Sequence, residues 1–137
     1  MDVREHGINN LKIYKKAHDL ALQVHKMTFS LPKFEMYEEG IQIRKSTKSV
    51  SNNIVEGYAL RKYKHEFLHY LYRAYASSEE TIEHLKFLSE TNSLTNNTIH
   101  RNLLNGYHEL NKMLFSFIIK IEKEYSTPNF LLRRKRK

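Results

Sequence analysis

A chain of 137 residues, 40% hydrophobic and 28% charged, is the size of one domain that can bury a core unaided; it is too apolar for a disordered segment and too charged for a membrane-embedded one. No stretch approaches the roughly 18 apolar residues of a membrane span, and Met1-Asp2-Val3-Arg4-Glu5-His6-Gly7 lacks the order of a signal peptide, so cytoplasm is the expected compartment. The absence of cysteine excludes disulfides and thiolate chemistry, while a net charge of +8 favours polyanionic partners.

The only prolines are Pro32 and Pro128, so long helices can run between them unbroken. Four are expected. The first spans about Asn10 to Leu31, with Asn9 or Asn10 able to cap it, on an inward stripe of Ile13, Ala17, Leu20, Val24, Met27 and Leu31. The second runs from about Glu35 to Val55 or slightly beyond on Met36, Gly40, Ile43, Thr47, Val50 and Ile54, with Gly57 able to supply the left-handed residue that stops it.

The third, about Lys62 to Thr91, carries two apolar faces. Phe67, Leu71, Ala74, Leu85 and Leu88 lie on one, and Leu68, Tyr72, Tyr75 and Ile82 on the next. The combined arc of about 200° exceeds the ~100° that one core uses. Ala76, Ser77 and Ser78 keep its middle slim. We therefore expect this helix to serve both the core and a subunit interface formed by Leu68, Tyr72, Tyr75 and Ile82. A turn and cap at Thr91 to Thr98 precede the fourth helix, about Asn96 to Tyr125, on Ile99, Leu103, Tyr107, Leu110, Leu114, Phe117 and Ile121. Short connections between long helices imply an all-α, antiparallel up-down-up-down four-helix bundle over residues 1–125. Residues 126–137 read as a basic tail, with Phe130, Leu131 and Leu132 as a sticky spot.

The charge is polarised. Arg133, Arg134, Lys135, Arg136 and Lys137 hold five of the net charges, and Arg44, Lys45, Lys48, Arg61, Lys62 and Lys64 face only Glu56 between residues 44 and 64. Residues 65–100 are net acidic. These eleven cations are the candidate contacts to RNA, DNA or an acidic protein surface. A solvated basic face is the plain alternative.

The run Gln42-Ile43-Arg44-Lys45-Ser46-Thr47-Lys48-Ser49-Val50-Ser51-Asn52-Asn53-Ile54-Val55-Glu56-Gly57-Tyr58 resembles the signature of the four helix bundle protein family, also called the S23 or 23S rRNA intervening-sequence protein family. Leu11-Lys12-Ile13-Tyr14-Lys15-Lys16-Ala17 resembles its opening motif, and Lys64-His65-Glu66-Phe67-Leu68-His69-Tyr70-Leu71 its third-helix entry. The resemblance covers about residues 8 to 122. It implies a subunit of a ring-like homopentamer, without enzymatic activity, and a relation to the accessory protein of diversity-generating retroelements, which binds a reverse transcriptase and nucleic acid. Arg44, Asn53, Glu56 and Gly57 match the family motif. Residue chemistry gives three of them structural tasks: Glu56 can pair with a basic neighbour, Asn53 can bond backbone near a helix end, and Gly57 supplies the stop. Ser51, where many members have proline, and Ala59-Leu60, in place of the usual glycine, depart from the pattern near the end of the second helix.

His65-Glu66-Phe67-Leu68-His69 matches H-E-x-x-H, which places two histidines on one helical face as zinc ligands with the glutamate as base. A catalytic zinc needs a third protein ligand. Tyr72 and Tyr75 stand where the extended motif needs glycine and histidine, and Glu83 and Glu90 lie about 20 Å or more along the same helix. No metal site and no cofactor is expected, and the scattered glycines form no phosphate loop. The expected function is a non-enzymatic homo-oligomer that binds RNA or a ribonucleoprotein through its basic surfaces. The alternative is an adaptor that recruits an acidic partner or a polymerase.

Overall fold

The apolar stripes require long helices, and the computed structural model, which describes residues 7–124, contains them: α1 (Lys12–Thr28), the short α2 (Lys33–Met36), α3 (Glu39–Ala59), α4 (Lys64–Glu90) and α5 (Asn97–Glu124). There is no strand among the described residues, and no helix there is long and apolar enough to cross a membrane. The four long helices close a ring of neighbours, with α1 against α3, α3 against α4, α4 against α5, and α5 against α1. Partners run in opposite order along the seam between α3 and α4, where Glu39 meets His84, Ser46 meets Thr81 and Ser49 meets Ser77.

The first helix begins and ends later and earlier, respectively, than its pattern suggests. Leu11 is its N-cap and makes no side-chain cap bond, so neither Asn9 nor Asn10 caps it. Amides of Phe29, Ser30 and Leu31 bond three residues back rather than four, which tightens the chain into Pro32. Leu31 is buried all the same, together with Ile13, Ala17, Leu20, Val24 and Met27.

The second predicted helix is two. The chain breaks at Tyr37 and Glu38, the latter with φ −114° and ψ −92°. Two side chains repair the break: Glu35 accepts the Glu39 amide at 3.3 Å, and Arg44 Nη2 donates to the Met36 carbonyl at 3.1 Å. The buried Glu35 also accepts the Ser93 hydroxyl at 2.5 Å, tying this junction to the connection between α4 and α5.

Gly57 does not stop α3. The helix runs through it to Ala59 with Leu60 as C-cap, and no described glycine has positive φ. A Cβ at Gly57 would sit 3.1 Å from Tyr70 Cβ and 3.4 Å from the Phe67 carbonyl oxygen, so glycine here permits close approach of α3 to α4. The same seam uses Ser46 with Thr81 and Ser49 with Ser77, each pair of hydroxyls 2.8 Å apart. Of the residues expected to keep α4 slim for close approach, Ser77 meets Ser49 of α3 and Ser78 is buried in the same chain, while Ala76 is exposed.

Between α4 and α5 the left-handed position falls on Asn92, at φ 60°. The Ser93 amide reaches the Leu88 carbonyl and the Asn92 amide the Ser89 carbonyl, at 3.0 and 3.1 Å, which closes α4 by a Schellman motif. Asn96 then caps α5 by accepting the Ile99 amide at 3.0 Å. Leu103, Tyr107, Leu110, Leu114 and Ile121 of the α5 stripe are buried, but Ile99 is 36% exposed and Phe117 only half-buried. Ile118 takes the inward place instead, because 3.6 residues per turn drift from a strict seven-residue repeat over 28 residues.

Two substitutions test this packing. Gly57→Leu should destabilise the fold by about 2 kcal/mol or more through overpacking, read as a lower denaturant midpoint. The fully buried Tyr107 hydroxyl has no partner among the described residues, and burial raises its pKa well above the ordinary phenol range. Tyr107→Phe should leave stability unchanged or raise it by about 1 kcal/mol. Because the folded pKa exceeds the unfolded one, stability is complete below about pH 10 and falls as pH rises beyond it; the phenylalanine variant should lose less there, as measured by alkaline denaturation.

Candidate nucleic-acid interface

Lys45, Lys48 and Asn52 form an exposed stripe on α3, because Ile43, Val50 and Ile54 turn into the core and Ser46 and Ser49 turn to α4. Arg44 behaves otherwise. Its guanidinium folds back over Gly40 to the end of α2, with one Nη bonded to Met36 and the other buried without a partner. A Cβ at Gly40 would come within 3.1 Å of that second nitrogen, so this glycine makes room for the arginine. Arg44 is thus a structural clasp in this arrangement rather than part of the open lysine stripe.

The other basic cluster lies at the exit of α3. Arg61 stacks 4.0 Å from the centre of the Tyr58 ring and donates to the Tyr58 carbonyl at 2.9 Å; Lys62 lies 5.9 Å from the Tyr63 ring, and Lys64 is half-buried at the start of α4. Lys48 and the end of α3 at Ala59 are separated by about 16 Å of helix axis, with the exposed Glu56 between them. The fold therefore keeps these as two clusters instead of merging them. The tail cations Arg133, Arg134, Lys135, Arg136 and Lys137 lie outside the described residues, as do Phe130, Leu131 and Leu132.

Of the motif residues, Asn53 is buried and donates to the Ser49 carbonyl at 2.8 Å and to its hydroxyl at 3.1 Å, one turn back inside α3 rather than at a helix end. Glu56 is exposed and forms no ion pair among the described residues, contrary to the pairing expected for it. His65 and His69 are both exposed near the start of α4, and no group of three metal-ligating side chains gathers among the described residues.

The second face of α4 stays partly open. Leu68, Tyr75 and Ile82 are half-buried, and Tyr72 is 48% exposed. The Tyr72 hydroxyl donates to Glu122 of α5 at 2.9 Å, and that carboxylate, aided by burial and its charge, holds the phenol above its ordinary pKa. Beside it, a cleft of about 800 Å³ between α4 and α5 is lined by Tyr75, Glu79, Asn111, Lys112 and the 52% exposed Phe115. Asn111 donates to Glu79 at 2.8 Å, yet its own carbonyl oxygen is buried without a partner.

Sequence reasoning missed the contribution of α1. A groove of about 320 Å³ between α1 and α3 is lined by His18, Leu22 and His25 from α1 and by Lys48, Ser51 and Asn52 from α3. The available signal was the seven-residue spacing of His18 and His25, which puts them on one helical face.

The 23S rRNA-intervening sequence protein family matches residues 9–116, from the start of the first helical segment well into α5. The chain belongs to that family. A crystal structure of a protein of unknown function from the S23 ribosomal protein family of Bacteroides thetaiotaomicron VPI-5482 has a similar fold, with a TM-score of 0.67 and 25% identity over 77% of this chain and 94% of that one. No curated protein matches the sequence. Within this member of the 23S rRNA-intervening sequence proteins, Gly57 serves the seam between α3 and α4, while Asn53 bonds within α3 to Ser49, whose hydroxyl meets Ser77 across that seam. Ser51 is buried inside an unbroken α3.

Proposed function

We propose that this protein is a non-enzymatic, self-associating subunit, an antiparallel up-down-up-down four-helix bundle that assembles into a homopentamer and binds RNA or a ribonucleoprotein through phosphate contacts. The observation that carries the RNA reading is a set of uncompensated cations. Lys45, Lys48, Arg61, Lys62 and Lys64 form no ion pair with any carboxylate among the described residues, in a chain of net charge +8. Cations left free in this way gain most from a phosphate backbone, which releases its own counterions on contact. The basic tail, Arg133 to Lys137, adds to the same field.

Self-association is supported by the aromatic surface shared by α4 and α5, where Tyr72 and Phe115 remain about half exposed beside a cleft. Tyrosine and phenylalanine left open together are characteristic of an interface core.

Two measurements test the proposal. RNA affinity should fall steeply with added salt, the logarithmic slope losing about 0.7 for each phosphate contact removed, as in a Lys45→Ala/Lys48→Ala variant; RNA binding independent of salt, or none at low salt, contradicts the reading. In sedimentation equilibrium the intact chain should run as a pentamer, and Phe115→Glu should shift it to monomer without loss of helical circular dichroism; a wild-type monomer contradicts the assembly.

A further inference from the structure

The outer face of α1 carries Lys15, His18, Leu22, His25 and Phe29 at steps of three and four residues, and all five are exposed. Across the groove, Lys45, Lys48 and Asn52 repeat the same rhythm on α3. Carboxylates stay off the groove wall. Glu38 and Glu56 lie beyond the two ends of the α3 stripe, and Asp19 sits on the neighbouring α1 stripe, bonded to the Gln23 amide at 2.7 Å.

Apolar and ring surfaces are interleaved with these cations. Leu22 is 59% exposed and Phe29 65%. The His25 ring meets Phe29 edge-on with centroids 5.3 Å apart, and Tyr14 stacks on His18 at 5.5 Å. A cationic groove with exposed ring faces is the combination that binds a single strand: the charges follow the backbone while unstacked bases lie against the rings, whatever their sequence. A duplex hides its base faces, so Leu22 and Phe29 would have nothing to receive from one. A two-fold contact of this face with itself would set Lys45 and Lys48 against their own equivalents.

We infer that the groove between α1 and α3 is a site for single-stranded RNA, with Lys15, Lys45 and Lys48 on phosphates and Phe29 with His25 receiving a base. The inference rests on the RNA-binding reading above and gives it a location and a strandedness. Around the ring of helices this face lies opposite the one shared by α4 and α5.

Fluorescence anisotropy of the full chain at low salt, with a labelled oligouridine and an RNA duplex of equal length, tests it. Phe29→Ala should weaken oligouridine binding roughly tenfold while leaving the duplex unaffected, and Lys48→Glu should weaken oligouridine binding by at least a similar factor. Both residues are exposed, so helical circular dichroism should be unchanged. Should the intact protein bind oligouridine and neither variant lose affinity, the groove assignment falls while RNA binding stands. If the intact protein binds no RNA, the broader reading fails with it. Equal affinity of the intact protein for duplex overturns the strandedness, and dissociation of the assembly by Phe29→Ala would mark the groove as a contact between copies.

Discussion

The close seam between α3 and α4 sets the orientation on which the other surfaces depend. Gly57 admits Tyr70 and the Phe67 backbone, and the hydroxyls of Ser46 and Ser49 pair with those of Thr81 and Ser77. Small side chains bring the helices together, and paired hydroxyls avoid the ~1–3 kcal/mol that an unbonded buried polar group costs. Hydrophobic packing alone tolerates rotation of one helix against another. These hydroxyl pairs do not, because each needs a particular facing residue.

Once that rotation is set, the remaining faces of α3 have little freedom. Ile43, Val50 and Ile54 complete the core, and Lys45, Lys48 and Asn52 are left facing solvent beside α1. The bent entry to α3 is held by equally local means, with Arg44 on the Met36 carbonyl and Glu35 on both the Glu39 amide and the Ser93 hydroxyl. Charged side chains thus have two roles here. Arg44 and Glu35, turned inward, complete broken backbone at a junction, while the outward-facing Lys45 and Lys48 form no ion pair among the described residues.

The two open faces of the ring differ in character. Between α4 and α5 the exposed surface is aromatic and borders a cleft that contains both a carboxylate and a lysine, Glu79 and Lys112. Between α1 and α3 it is cationic, with rings and one leucine interleaved. The aromatic face is the one proposed for self-association, and the basic one is the one proposed for anion binding.

Four long segments, their apolar stripes and the double face of α4 were legible in the sequence because side-chain burial follows helical periodicity directly: Val24, Val50, Leu71 and Leu110 all lie where spacing puts them. The family was legible too, in the run from Gln42 to Tyr58. What only the tertiary structure decided was the meaning of the residues with more than one possible use. Gly57 reads as a helix stop, and the neighbouring Tyr70 made it a close contact instead. Arg44 reads as a phosphate ligand until the break at Tyr37 and Glu38 offers it a carbonyl. His18 and His25 carried no message until α3 placed Lys48 beside them. Periodicity is a property of one helix, whereas a seam, a clasp or a groove exists only between two, and the distance between them is written in no single stretch of chain.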